Sequence, residues 1–363
     1  MQKKNYICFV SRFEMRYCIR ILQSCFLSII TFGSIAFCQT TILRYAVELD
    51  QVPASCRIAA LGDAGVAVPF DAVSVFWNPA AHSFVDKYEI SGEYARLYGD
   101  LSTHGCAAVN IPLQEQMSVA AMYVRFQSGA ISQWDSLPGT EAERLNNPSM
   151  RADGSNNGYF YNDQNMVTLS LAKVFSVPIP RPETYNYPLP MDLSAGINFK
   201  EFWQTLNPSG KVRMGMNVNC DAGLMLRVSL DYDLQAKQVD REVYIGATVK
   251  DILGTEVVWL HSPDNYQETV DLSQYYGIAY IDKTHLLGAN WLVTIAMERS
   301  YETTYHCGIE AQVFNMVALR LGVSENVFTC GAGITYKNYS LDYAFRFDDV
   351  DYSPIRISLK VSF

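Results

Sequence analysis

Hydrophobic and polar residues alternate along most of the chain from Tyr88 onward. The last segment shows this best, with one apolar face formed by Ile355, Ile357, Leu359, Val361 and Phe363. Alternation with a period of two is typical of β-strands whose two faces meet different surroundings. The pattern predicts roughly fourteen strands, centred near residues 92, 107, 121, 170, 196, 223, 247, 278, 295, 309, 320, 332, 342 and 359.

The length and number of these segments favour a membrane barrel. A tilted strand needs about ten residues to cross a bilayer, and an even number places both chain ends on the periplasmic side. The two longest connections, 128–163 and 252–274, follow odd-numbered strands, as outer loops should. We therefore predict an all-β fold, a transmembrane antiparallel β-barrel of about 14 strands over residues 88–363. Alternation alone also fits a soluble β-sandwich, because it does not say which face meets water.

The N-terminal region has the order of a secretory signal peptide. Residues 16–38 read RYCIRILQSCFLSIITFGSIAFC, with basic residues first, an apolar stretch next and small residues near the end. We predict a signal peptide over 1–38, with Met15 as a possible true start; an anchoring helix is the alternative. No later stretch approaches the roughly 18 apolar residues of a spanning helix. If the protein lies in a membrane, strands must therefore cross it.

Composition and motifs disfavour several functional classes. The net charge of −9 argues against nucleic acid as a partner, since phosphate binding needs a basic face. Four of the nine cysteines fall in the predicted signal peptide, and the other five are widely spaced without a CxxC pair. The five histidines lack metal-type spacing, and no GxxxxGK[ST], HExxH or GxSxG motif occurs. We predict no catalytic, metal or cofactor residues, and no enzyme.

A segment rich in small residues precedes the strands. Residues 57–81 read RIAALGDAGVAVPFDAVSVFWNPAA. This segment resembles the N-terminal signature of the PorV/PorQ group of outer-membrane proteins, within the wider FadL-like (long-chain fatty acid transporter) barrel superfamily. The later motifs 221–224 (DAGL), 246–254 (GATVKDILG) and 341–345 (LDYAF) are similar to the same group, so the likeness covers about residues 45–363.

The resemblance implies a hatch over residues 39–87 in the lumen of a 14-stranded barrel. Its motif residues, which would form a plug or a gate, are Gly62, Gly65, Asp71, Trp77, Asn78, Pro79 and Ala80. Glycine permits close backbone packing, and Asn-Pro favours a turn. The closing strand with its terminal Phe363 resembles the signal that barrel-assembly machinery recognises.

The resemblance also implies a location and two alternative functions. We expect a monomer in the outer membrane, surrounded by outer-membrane lipids. The first function is passive transport of a hydrophobic small molecule. The alternative is a PorV-like role in type IX secretion, in which the protein binds or shuttles secreted cargo proteins.

Overall fold

The computed structural model describes residues 49, 52–69, 71–134, 137–150, 157–176, 191–207, 212–233, 238–254, 256–260, 267–270, 272–299, 303–347 and 355–363. The predicted signal peptide and Met15 lie outside these described residues.

Eighteen strands form in the described part of the chain, and fourteen of them make the wall of a barrel. In chain order they are β1 (Glu89–Leu97), β2 (Ser102–Pro112), β3 (Met117–Ser128), β4 (Ile131–Ser132), β5 (Tyr159–Phe160), β6 (Asn162–Ser176), β7 (Met191–Leu206), β8 (Arg213–Asp233), β9 (Gln238–Lys250), β10 (Glu256–Leu260), β11 (Gln267–Thr269), β12 (Ser273–Asp282), β13 (Ala289–Arg299), β14 (Thr303–Val313), β15 (Val317–Ser324), β16 (Val327–Tyr336), β17 (Tyr339–Arg346) and β18 (Ile355–Ser362). The short strands β4, β5, β10 and β11 stand outside the fourteen.

The wall is closed. Each wall strand pairs antiparallel with its neighbours in sequence, and β1 pairs with both β2 and β18. Tyr94 of β1 thus lies opposite Gly105 on one side and Ile357 on the other. The predicted antiparallel barrel of 14 strands is confirmed, and every predicted centre falls within a wall strand.

The barrel carries its apolar face outward. In β18, Leu359 is 52% exposed, whereas Arg356 on the opposite face is 5% exposed. In β1, Ile90 and Tyr94 face outward, while Glu93 is buried. A soluble sandwich would show the reverse, so the side-chain directions decide between the two folds that the alternation allowed. Within the described residues, no helix is both long and apolar enough to cross a membrane.

The long connections contain short elements of their own. Helix α1 (Cys56–Ala60) precedes the wall, and helix α2 (Glu141–Asn146) lies between β4 and β5. Short 3-10 turns form at Ala72–Phe76, Ala81–Phe84, Pro148–Met150 and Leu286–Gly288. Helix α1 begins where the Ser55 hydroxyl accepts a hydrogen bond from Ile58 N at 3.4 Å.

The wall strand β9 is interrupted, and the short strand β10 continues its pairing with β8. β8 pairs with β9 as far as Ala222–Val249, and β10 resumes the pairing at Met216–Val258. The residues between β9 and β10 include Asp251 and Gly254, both with left-handed backbone (φ 59° and 57°). Extra residues on one strand bend it and break the ladder locally. The wall is therefore irregular between the end of β9 and the start of β8.

Candidate functional site: an inner segment and an apolar outer cluster

Residues 52–69 and 71–85, which we call the inner segment, contact the inward face of the wall on many sides. Its polar contacts reach Asn110 of β2, Ser170 of β6, Ser194 of β7, Asn198 of β7, Thr294 of β13, His306 and Glu310 of β14, Thr329 of β16, Arg346 of β17 and Arg356 of β18. A single segment can contact strands all round a closed sheet only from within it. The inner segment therefore lies inside the ring of strands.

Asn78 ties the two halves of the inner segment to the wall. Its side-chain amide donates to Val66 O at 3.0 Å and to Leu224 O at 3.1 Å, and its Oδ1 accepts from Ala80 N at 2.9 Å. Asn78 is fully buried, so these bonds satisfy a group that would be costly to leave unpaired. The Asn78-Pro79-Ala80 motif thus fixes a turn against β8.

Paired glycines in the wall make room for the inner segment. Gly196 lies opposite Gly223 in the register of β7 and β8, and a Cβ atom on either would overlap the Asn78-Pro79 turn. Gly246 and Gly277 form a second such pair, between β9 and β12. Gly308 and Gly322, of β14 and β15, form a third. The three pairs face Asn78-Pro79, Val66 and Leu61-Gly62 in turn, so the segment's backbone rests directly on the wall's backbone.

Trp77 is held from three directions. Its indole N–H donates to Ala54 O at 2.9 Å, and a Cβ on Gly65 would lie 2.7 Å from its ring. The ammonium of Lys250 lies 4.2 Å from the ring centroid of Phe76, 4.9 Å from that of Tyr275 and 6.0 Å from that of Trp77. A buried ammonium gains most from aromatic faces, since water does not compete. Through these cation–π contacts, Lys250 at the end of β9 stabilises the positions of Phe76 and Trp77.

Charged pairs hold the first half of the inner segment. Arg57 Nε donates to Glu310 Oε2 at 2.9 Å, and Arg320 Nε donates to the same oxygen at 2.6 Å. Arg320 also donates to Asp342 Oδ1 at 2.6 Å. The buried carboxylate of Glu310 is thus shared by two guanidinium groups, which offsets the cost of its burial.

A neutral network holds the second half. His82 Nε2 lies 3.0 Å from Ser170 Oγ, and His82 Nδ1 lies 3.0 Å from Asn110 Oδ1 and 3.2 Å from Ser118 Oγ. Burial lowers the pKa of His82 to about 4, so the ring is neutral at pH 7. The Ser170–His82–Asn110 order has the outline of a nucleophile triad, but all three side chains are buried. Substrate cannot reach them, and the network serves to anchor the segment.

Apolar side chains cluster on the inner face near the end of the barrel where β3 and β7 finish, which we call the outer end after the orientation expected from the sequence. One cross-strand row brings together Val124 of β3, Met166 of β6 and Phe202 of β7. Other buried members of this outer cluster are Leu97, Phe126, Val257, Trp259 and Val270, with Leu49 and Val52 packed against them. Inward-facing residues in barrels with water-filled lumens are polar. This end of the lumen is instead filled with packed apolar side chains.

A polar cluster lies just below the outer cluster, beside the interruption of β9. Lys200 Nζ lies 2.8 Å from both Asp221 Oδ1 and Asp251 Oδ1. Asn198 donates to Asp221 Oδ2 and to Val75 O, both at 3.0 Å. The same polar contacts therefore connect the inner segment to the irregular part of the wall.

The structure places the motif residues predicted from sequence in one region. All of them lie in the inner segment: Gly62, Gly65, Asp71, Trp77, Asn78, Pro79 and Ala80. The Asp71 carboxylate caps the 3-10 turn Ala72–Phe76 by accepting a hydrogen bond from Val73 N at 3.0 Å. Sequence analysis missed Lys250, Glu310 and the wall glycines. The glycines carried a signal, because they recur at inward-facing positions of the alternation. Among the described residues, no group of three or more His, Cys, Asp or Glu side chains is arranged to hold a metal ion.

Comparisons with known proteins support the fold. No protein-family model matches the sequence, and no curated protein matches it. Among solved structures, the chain is similar to the toluene transporter TbuX of Ralstonia pickettii, with TM-score 0.50 and 10% identity over 85% of this chain and 98% of that one. It is also similar to the toluene transporter TodX of Pseudomonas putida, with TM-score 0.45 and 12% identity over 84% and 96%. At such identity the likeness to TbuX shows that this chain shares a barrel fold, and it leaves the solute open.

Proposed function

We propose that this protein is a passive outer-membrane channel for a small hydrophobic molecule. The observation that carries the proposal is the outer cluster, a packed group of apolar inward-facing side chains directly above a buried polar layer. A solute leaving water would bind there first, because apolar contacts replace its hydration. The apolar outward face of the wall supports a position in lipid, and the similar fold of a toluene transporter fits the same solute class.

In this proposal the inner segment acts as a hatch. Its contacts with Lys250 and Asn198 connect it to the interruption of β9, so a shift of Val75–Trp77 and a change in the wall would occur together. Passage needs no energy input, since the solute moves down its own gradient. The protein would function as a monomer among outer-membrane lipids, and its C-terminal strand, from Ile355 to Phe363, would be read by the barrel-assembly machinery.

The second role expected from sequence, binding of secreted cargo proteins, has no specific supporting feature in the outer connections that the structure describes. We therefore carry only the transport proposal forward. A secreted protein recovered in place of a small molecule in the experiment below would reverse that choice.

The test is mass spectrometry of apolar molecules retained by the protein after detergent extraction from outer membranes. We expect the wild type to retain a lipid or hydrocarbon and Met166→Gln to lose it. Met225→Gln is the matched control, because Met225 is also buried and inward-facing but belongs to a different cross-strand row, opposite Ser194 and Gly246. Each variant buries an unpaired amide at a cost of about 1–3 kcal/mol. Equal retention by both variants would contradict the proposed binding site.

A further inference from the structure

Polar side chains line the inner face where the first and last wall strands meet. The register sets Arg356 opposite Ala95 and Ala95 opposite His104, and Glu93 lies opposite Ser358 in the next row. The rows that follow hold Ser91 opposite Lys360 and Glu89 opposite Ser362. We call the set Glu89, Ser91, Glu93, His104, Arg356 and Lys360 the β1–β18 seam. It runs along the strands, against the first half of the inner segment.

The middle of the seam contains buried polar atoms without hydrogen-bond partners in the described part of the chain. These atoms are both carboxylate oxygens of Glu93, both ring nitrogens of His104 and the Ser91 hydroxyl. The backbone amides of Ser55 and Cys56 lie near the Glu93 carboxylate without meeting hydrogen-bond geometry. Arg356 balances the Glu93 charge as an ion pair, but buried polar atoms without hydrogen bonds are costly, so these groups need ordered water as a further partner.

These groups lie near one another without direct hydrogen bonds. Glu93 Oε1 lies 3.9 Å from His104 Nδ1 and 3.8 Å from Arg356 Nη1. Both distances are too long for a direct hydrogen bond, so the hydrogen-bonding sites of these groups are left for ordered water. The seam therefore has the donors and acceptors of a short water file.

A partly exposed charged side chain lies at each end of the seam, Arg346 at one end and Lys360 at the other. At the outer end, Asp63, Arg346 and Arg356 line a cavity of about 10 Å³, which is room for one water molecule. Asp63 Oδ1, which is buried beside this cavity, also has no partner among the described residues. At the periplasmic end, Lys360 Nζ lies 3.5 Å from Glu89 Oε1. Polar groups thus continue from one end of the barrel to the other.

We propose that the β1–β18 seam holds a file of ordered water molecules that conducts water and protons through the barrel. A proton that enters at one end passes between water molecules and the Glu93 and His104 side chains, and an equivalent proton leaves at the other end. No other bond is made or broken. The path is separate from the outer cluster and requires a membrane-spanning barrel, but it does not require solute transport.

The test uses the full-length protein in lipid vesicles that contain a pH-sensitive dye. A pH gradient is applied in the absence of any hydrophobic solute, with valinomycin and potassium to balance charge. We expect proton flux above that of protein-free vesicles for the wild type. The Glu93→Leu, His104→Leu double variant should fall to the protein-free level, because its side chains offer no partner to water. Glu93→Gln, which preserves shape and packing, should reduce the flux without changing the assembled barrel.

Glu242→Gln is the matched control, because Glu242 on β9 is also buried and inward-facing but pairs with Lys283, just after β12 and away from the seam. It should conduct as the wild type does. Barrel assembly in each sample is checked by the shift in gel mobility on heating. Wild-type flux no greater than that of empty vesicles, or an unchanged flux in an assembled Glu93→Gln variant, overturns the proposal. Retention of a hydrophobic solute is measured separately, so failure of one proposal leaves the other standing.

Discussion

Gly196 and Gly223 face each other across β7 and β8, and the Asn78-Pro79 turn occupies the space that their side chains would fill. The contact joins backbone to backbone across more than a hundred residues of sequence. Two further glycine pairs repeat it against Val66 and Leu61. The fit of the inner segment in the lumen therefore depends on the absence of side chains at these wall glycines.

Gly223→Ala tests this fit. A methyl group there would overlap Asn78 Oδ1, so we expect the free energy of unfolding to fall by about 1–3 kcal/mol through overpacking. The measurement is equilibrium unfolding in urea with the protein in lipid vesicles. Gly92→Ala is the control, since Gly92 faces outward and its nearest neighbour to an added Cβ is at 4.0 Å. Similar losses in both variants would show that the contact does not constrain the segment.

Glu310→Gln tests the charged anchor. The variant leaves the buried Arg320 and the partly buried Arg57 without their shared carboxylate, which should cost about 3–5 kcal/mol of unfolding free energy. Glu115→Gln removes the same charge from an exposed pair with Lys173 at 4.0 Å, where we expect about 0–1 kcal/mol. Both are measured by the same unfolding experiment at pH 7. A small effect at Glu310 would mean that the inner segment is held mainly by its neutral contacts.

The position of the strands could be predicted from the sequence because alternation is a local property. The direction of the faces could not, since the same alternation serves a sandwich with its apolar side inward. The glycine pairs were also out of reach. Gly246 and Gly277 become neighbours only through the register of β9 and β12, which one sequence does not specify.

The charged contacts were hidden for a related reason. Arg57 was visible in the motif, but its partner Glu310 lies on a strand 253 residues away. Lys250 sits within GATVKDILG, where the alternation sets it on one face with Gly246 and Thr248 but does not reveal the aromatic rings that surround it. Long-range pairs of this kind can be identified only in the folded barrel.

Acidification should weaken the neutral anchor at His82. Its pKa is about 4 in the folded protein and 6.5 when exposed, so its contribution to stability is complete above pH 6.5 and is lost as the pH falls towards 4. We expect the wild type to lose more unfolding free energy between pH 7 and pH 5 than His82→Gln, which has no group to protonate there. Unfolding curves for both proteins at the two pH values give the comparison. Parallel losses would place the acid sensitivity in other residues.

The outward face of β18 should tolerate charge poorly. Leu359→Arg would set a guanidinium in the apolar band, with an expected cost of about 2–4 kcal/mol near the bilayer midplane. Leu101→Arg, in the tight connection between β1 and β2 at the outer end, should cost only about 0–1 kcal/mol, as at an interface. The measurement is unfolding from lipid vesicles. Equal costs at Leu359 and Leu101 would argue against a lipid-facing band.

The glycine pairs also limit how the barrel can be redesigned. A chimera that takes its lumen segment from another barrel needs glycines at the same three cross-strand places, because an added side chain there meets backbone or buried side chains. Segment and wall must therefore be exchanged together, as one cassette. An open pore, conversely, would require deletion of the segment together with new side chains at the glycine positions, so that the exposed furrow of backbone is covered again.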